Sequence, residues 1–403
     1  MKKMIPLEEA QQILLECVHP LETVELELLQ AQGMVLAGDI VAPRPLPPFA
    51  RSPLDGFAFR AADTAGASGE SQARLYITET IYTGRVAQGK VEPGTAARIA
   101  TGAPVPEGAD SVVPCEAACQ EGQYVLIDKP FTPGENVIPA GEDVAGGEIA
   151  LPAGQALSPP AVALLAAIGY AKAPVHRRPR VAIFSTGDEL VPLGQPLPTG
   201  KIYISNPYAI AAQVAEAGGE AVLLESAVDE EEPVTRQFAR GLELADLVIS
   251  TGGASVGERD VVKKAMKNAG AEPLFWKVAC KPGTPVTGAL REGRLLIGMP
   301  GNPAAAMIMF SLLVRPLLRL MSGQRELHLT RVNARLAEDF SGSGKKRRFV
   351  PAVVQWQEEY SVRPVRAKST GAMTPLVESN ALIDIPAAYG PLQAGDLVEV
   401  VLL

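Results

Sequence analysis

Ile249-Ser250-Thr251-Gly252-Gly253-Ala254-Ser255-Val256-Gly257 closes an apolar run that opens at Leu247, and Asp260 stands just behind it. A short aliphatic run broken by paired glycines reads as a buried strand leaving its sheet through a tight turn. Outward from this stretch the same rhythm repeats. Strand-like runs at 181–184, 221–228, 247–250 and 295–297 alternate with helix-like runs at 206–218, 233–242, 259–270 and 303–321. Alternation of this kind predicts a mostly parallel sheet with helices on its faces. Asn206-Pro207 and Asn302-Pro303 each read as a helix start, with asparagine capping and proline fixing the first turn.

Further out the texture changes. After Gly323, runs at 332–336, 348–356, 360–365, 381–385 and 397–402 are separated by turn residues, as in a small all-β domain. Near the start, Leu7, Ala10, Ile13, Leu14 and Cys17 follow Pro6 at helical spacing. From Arg51 to about Gly146, short β-forming runs are broken by Gly and Pro clusters, and helix returns at Ser158-Pro159-Pro160, stopping at Gly169. The expectation is a multidomain α/β protein. Its parts are a central mostly parallel sheet domain (175–325), a helical and extended domain (1–50 with 147–174), an inserted β-rich domain (51–146) and a C-terminal, small β-barrel-like domain (326–403).

At 403 residues the chain exceeds what one core supports. Its net charge of −8 supplies no global positive field, so no nucleic-acid or anionic-membrane partner is expected and an anionic substrate must be held by local groups. The apolar stretch 304–314 is short of a membrane span, and the few apolar residues after Lys2 and Lys3 are too short for a secretory signal, so the expected address is the cytoplasm. The four cysteines are scattered and expected to be reduced, with Cys115 and Cys119 read as buried thiols beside a strand. Three histidines and no paired Cys-x-x-Cys argue against a Cys/His metal site. Gly194 to Lys201 has the wrong spacing for a phosphate loop.

In an open α/β sheet, ligands bind outside the carboxyl ends of the strands. Three glycine-bearing loops leave strands here: 184–190 with Asp188 and Glu189, 249–257, and 298–303. Glycines let backbone N–H groups approach a ligand, and a helix start adds positive potential suited to phosphate. Between the last two loops lie Lys277 and Lys281; if 274–280 is one strand, both point to the same face and bring two cations to the site. By composition, 51–58, 100–106 and 140–144 are ordinary polar turns.

Taken together these strings resemble the molybdopterin molybdenumtransferase (MoeA) family, which the molybdenum-insertion half of gephyrin also resembles. The match includes Ser52-Pro53-Leu54-Asp55-Gly56-Phe57-Ala58, Thr101-Gly102-Ala103-Pro104-Val105-Pro106, Gly141-Glu142-Asp143, Ser185-Thr186-Gly187-Asp188-Glu189-Leu190, Gly252-Gly253-Ala254-Ser255-Val256-Gly257, Lys281-Pro282-Gly283 and Pro300-Gly301-Asn302-Pro303. The resemblance implies a four-domain homodimer, the helical domain serving dimerisation, with active sites between subunits. It implies insertion of molybdate into adenylylated molybdopterin with release of AMP, dependent on Mg2+ or a similar divalent cation. Asp55, Thr101, Glu189 and Asp260 would be catalytic, with Glu189 and Asp260 also holding the metal. Asp143, Gly252, Gly253, Ser255, Lys277, Lys281, Pro300, Asn302 and Pro303 would bind substrate. Implied partners are a molybdopterin adenylyltransferase and molybdoenzyme maturation factors; molybdate and tungstate are not distinguished. Three positions depart from the family pattern: Glu230-Glu231 for a usual Asp-Asp, Thr284 for a second lysine, and Thr374 for a serine. The basic run Lys345 to Arg348 reads as a solvated turn outside the site. The competing readings are a molybdopterin adenylyltransferase, which leaves 55–105 and 326–403 unexplained, and a noncatalytic pterin-binding scaffold.

Overall fold

The computed structural model describes residues 2–253, 261–341, 346–366 and 372–403. At its centre is a seven-stranded sheet in the order Lys2–Ile5, Glu272–Val278, Thr287–Arg291, Arg294–Met299, Leu247–Thr251, Arg180–Ser185, Glu220–Leu223. Only the two pairings made by Thr287–Arg291 are antiparallel, so the mostly parallel sheet expected from the alternation is present. Val181, Ile183, Leu247, Ile249, Leu295 and Ile297 pack into one core, Ala182, Phe184, Val248 and Leu296 into another. Burial on both faces is why these strands read as continuous apolar runs instead of alternating ones.

Helices Leu7–Leu15, Asn206–Glu216 and Pro303–Met309 with its continuation pack on the first face, Glu231–Leu244 and Val261–Asn268 on the second. The helical run Pro303–Met321 is 19 residues, long and apolar enough to cross a membrane by length and composition, whereas the sequence suggested only a shorter apolar stretch. It is 78% buried inside the protein over its most apolar window and forms the spine of the first core. Arg315, on this helix, is nearly buried and pairs with Glu216 at 3.0 Å.

The first fifteen residues depart from the expected division. Lys2–Ile5 pairs in parallel with Glu272–Val278, and Leu7, Ala10 and Leu14 are buried in the sheet core, so this segment belongs with the sheet and not with 147–174. An edge strand reading Lys-Lys-Met-Ile, exposed at its first three positions, carries no apolar periodicity to reveal it. Between residues 23 and 176 the outer segments pair with one another. Thr23–Glu27 pairs with Lys172–His176, Ile40–Val41 with Ile149–Leu151, and helix Pro159–Ile168 ends at a left-handed Gly169.

The insertion forms a six-stranded sheet, ordered Ser111–Pro114, Gly56–Phe59, Thr95–Ile99, Ala73–Ile81, Tyr124–Ile127, Cys119–Glu121. Cys115 is half-buried and Cys119 exposed, against the expected burial of both; all four cysteines are free. In the C-terminal region Arg347–Trp356 pairs with both Tyr360–Pro364 and Ala381–Ile385, closing a five-stranded barrel. A sixth, parallel strand comes from the sheet domain: Cys280–Lys281 lies against Arg347 and Arg348. Below this seam Asp384, buried, accepts hydrogen bonds from Arg331 at 2.8 Å and from Arg347, whose guanidinium also reaches Glu8.

Candidate active site at the crest of the sheet

Strands Arg180–Ser185, Leu247–Thr251 and Arg294–Met299 run in parallel with Ser185, Thr251 and Met299 in register. Their three glycine-bearing loops therefore leave the sheet at one level, as the sequence led us to expect. The crest is tied across by hydrogen bonds: Ser185 Oγ and Thr251 Oγ1 lie 2.6 Å apart, Thr186 N donates to Thr251 O at 2.9 Å, and Gly252 N to Met299 O at 3.3 Å. Gly252 has φ +91°, and a Cβ there would fall 2.2 Å from Thr186 O. Only glycine fits where one loop crosses so closely over the next.

Between these loops lies a cleft of about 70 Å³ lined by Thr186, Glu189, Tyr203, Asn206, Gly252, Pro303 and their neighbours. Asn302 caps its helix as expected, its side chain accepting from Ala305 N at 3.0 Å. Asn206 does not cap. It is the first helical residue, 8% exposed, and its Nδ2 donates to Gly301 O at 2.9 Å, joining two of the loops. The carboxylate of Glu189 is exposed at the cleft and folds over Gly187; Asp188 beside it accepts from Asp229 N at 3.2 Å, and Asp229 Oδ1 from Thr186 Oγ1 at 3.3 Å. Pro300, within the third loop, is buried, and Gly253 packs against Thr186. Ser255 and Asp260 lie outside the described residues.

Lys277 and Lys281 do not share a strand. The strand Glu272–Val278 ends before Lys281, which belongs to Cys280–Lys281 at the barrel seam. Lys277 has a left-handed backbone, φ 71°, and its Nζ sits 4.0 Å from the centroid of the Trp276 ring. Beside Lys281, Thr284 Oγ1 donates to Cys280 O at 2.7 Å and receives Lys346 Nζ at 3.4 Å. A cation from the barrel thus reaches the position where the family pattern has a lysine and this chain has threonine. Gly283 is forced here too: with φ +106°, a Cβ would lie 2.2 Å from Met309 Cγ. Burial pushes the Cys280 thiol up to about 12, so it is no nucleophile.

The Asp55 turn is built differently. Asp55 and Thr101 are both exposed, and Asp55 Oδ1 accepts from Thr101 N at 2.7 Å and Thr101 Oγ1 at 2.9 Å. These two donors hold the Asp55 carboxyl below the usual carboxylate range, with Arg98 adding a smaller pull in the same direction. Asp143 is exposed on its turn, its backbone N–H bonded to Leu46 O at 2.9 Å. Among the described residues of one chain, no hydrogen bond or ion pair joins Asp55, Thr101 or Asp143 to the crest.

No three His, Cys, Asp or Glu side chains among the described residues come together as a metal cage. Glu189 at the cleft, with water and phosphate oxygens completing the shell, does suit Mg2+, which takes few protein ligands in phosphate-handling sites. Two contributors escaped sequence reasoning. Asn206 looked like a cap because Asn-Pro opens helices generally, and Lys346 looked like part of a solvated run because only the strand pairing at the seam brings it to Thr284.

Comparison with known proteins bears on this arrangement. Three family models match: the MoeA N-terminal region (domains I and II) at residues 5–169, a probable molybdopterin binding domain at 182–320, and the MoeA C-terminal region (domain IV) at 333–403. The chain is 37% identical over 401 residues to molybdopterin molybdenumtransferase 2 of Mycobacterium tuberculosis, covering 98% of each. With the molybdopterin molybdenumtransferase of Staphylococcus aureus it shares 34% over 399 residues, 99% of this chain and 95% of the relative. The crystal structure of a molybdopterin biosynthesis MoeA protein from Pyrococcus horikosii superposes with a TM-score of 0.87 at 32% identity, covering 99% of both chains.

Proposed function

Since the chain belongs to the MoeA family of molybdopterin molybdenumtransferases, we propose that it inserts molybdate into adenylylated molybdopterin with release of AMP, at a site completed by two copies of the chain. It is a transferase of molybdenum cofactor biosynthesis. The observation that carries the finer reading is the separation of polar groups into two incomplete halves. The crest cleft, at about 70 Å³, is well below the ~300–1,000 Å³ of ordinary ligand pockets, and the ionised Asp55 lies in the inserted sheet with no bond to the crest among the described residues. A second copy that brings its Asp55, Thr101 and Asp143 over the cleft would complete the enclosure and add carboxylates opposite Glu189.

Each residue then has a task. The loop backbones at Gly252 and Gly253 let the pterin approach the strand ends, and the helix start behind Asn302-Pro303 adds positive potential toward anionic oxygens. Lys281 and Lys346 flank Thr284 and hold molybdate or phosphate oxygens by charge-assisted hydrogen bonds; Lys277 adds a third cation. Glu189, with Asp260, would hold Mg2+, whose charge offsets that of the adenylyl phosphate when it is bound. Thr101 keeps Asp55 ionised and fixed in direction. No covalent protein nucleophile is required. The substrate implies a molybdopterin adenylyltransferase upstream and maturation factors of molybdoenzymes downstream. Four free cysteines accord with a reducing, cytoplasmic setting.

The test mixes purified protein, adenylylated molybdopterin, Mg2+ and molybdate, and follows AMP and cofactor. Asp55→Asn and Glu189→Gln should each be inactive. Re-assorted together they should regain about a quarter of wild-type activity, because half of the dimers then carry one intact composite site. Full activity of both single variants removes their roles, and no recovery on mixing removes the shared site. AMP transfer from ATP to molybdopterin without molybdate would establish the adenylyltransferase reading instead, and pterin binding without turnover the scaffold.

A further inference from the structure

We infer that Asn206 reads the amino-bearing edge of the pterin in the crest cleft, accepting a hydrogen bond from it; this rests on the function proposed above. Asn206 lines the cleft and is 8% exposed. Its Nδ2 is committed to Gly301 O at 2.9 Å, which fixes the amide's orientation, since the reversed amide would set Oδ1 against a carbonyl oxygen. That leaves Oδ1 as the free end, buried and accepting from nothing. Five other residues hold a buried, unpartnered polar atom among the described ones: Arg51, Gln213, Ser250, Arg315 and Ser322. None of these lines the cleft.

A buried acceptor without a donor is costly, and binding of a ligand that supplies the donor recovers that cost. Asn206 therefore selects for N–H and against a carbonyl at the same place. The pyrimidine edge of a pterin carries an exocyclic amino group and an adjacent ring N–H, which are donors of the needed kind. Four of the cleft's hydroxyls have other partners: Ser185 and Thr251 satisfy one another, Thr186 donates to Asp229 Oδ1 at 3.3 Å, and Tyr203 to Gln195 O at 2.9 Å. Asn206 is thus a specificity residue, placed by Gly301 of the neighbouring loop, and it weighs on affinity for the heterocycle more than on the bond-breaking step.

The experiment measures anaerobic binding of molybdopterin, without adenylyl group, and of its 2-desamino analogue to the full-length wild type, to Asn206→Ala and to the near-isosteric Asn206→Leu, with thermal melting of each. Wild type should prefer the amino form by about tenfold or more, as expected when a buried polar group is left unpaired by the analogue. Both variants should bind molybdopterin about tenfold more weakly and show less than a twofold preference, and in turnover KM should rise more than kcat falls. Retention of the preference in either folded variant overturns the inference. So does its absence from wild type that still binds molybdopterin, because Oδ1 then does not read the amino group. Failure of wild type to bind molybdopterin at all overturns the pterin reading itself, and is recognisable because the preference is then never measurable.

Discussion

At the crest, Ser185 and Thr251 are 3% and 0% exposed and meet hydroxyl to hydroxyl, whereas Asp55 and Thr101 stand in solvent and hold each other by two hydrogen bonds to a single carboxylate oxygen. The crest is positioned by burial. Its groups lie at the ends of strands packed on both faces, and none of them could shift without disturbing two cores. The Asp55 turn is positioned locally, by a neighbouring threonine. It follows that the crest hydroxyls rest on the cores beneath them while the Asp55 carboxylate rests on its bonds to Thr101, and that the two regions should fail in different ways.

The largest effect should come from Glu189→Gln, which removes the one carboxylate that lines the cleft among the described residues, without altering volume. AMP release should fall by about 100-fold or more, while melting shifts little because the side chain is exposed. A melting shift of many degrees would mean that Glu189 holds the crest together and would blur the distinction. Gly252→Ala tests the crest from the other side: a Cβ 2.2 Å from Thr186 O, at φ +91°, should cost about 1–3 kcal/mol in chemical denaturation and lower activity, leaving the acid limb of the pH profile where it was.

Thr101→Val should do the converse. It deletes one of the two donors to Asp55, so the Asp55 carboxyl rises toward its ordinary value and the acid limb of activity moves to higher pH. Stability measured by denaturation should be nearly unchanged. An unmoved limb would mean that Asp55 does not titrate in the rate. The smallest effect should be that of Asn302→Ala, which removes a helix cap and should cost about 1 kcal/mol. The same dipeptide at Asn206 does no capping, so Asn206→Ala should lose ligand affinity with less loss from its helix.

Much of the architecture could be read from residues, because both-face burial leaves runs such as 181–184 and 295–297 continuously apolar and the turns between them carry glycine. The loops of the crest were legible for the same reason. What the sequence hid depends on contacts between distant segments. Lys2–Ile5 has no pattern of its own and is a strand only because Glu272–Val278 offers an edge. The pairing of Lys277 with Lys281 failed because the strand stops at Val278 and the next one joins another sheet. Lys346 could not be recognised without that junction, and Asn206 was misjudged because two identical Asn-Pro steps meet different neighbours. The Asp55 turn was invisible to composition and entered only through resemblance.

The short strand Cys280–Lys281 is stitched to the barrel while the rest of its segment stays in the central sheet. Through this pairing a tilt of the C-terminal barrel would pull on Lys281, and Lys346, next in sequence to the paired Arg347, would move with it. On the function proposed above, grip on an incoming oxyanion and the attitude of the tail domain would then be a single mechanical variable, and a chain trimmed of its last seventy or so residues should lose affinity for molybdate even with every crest side chain intact.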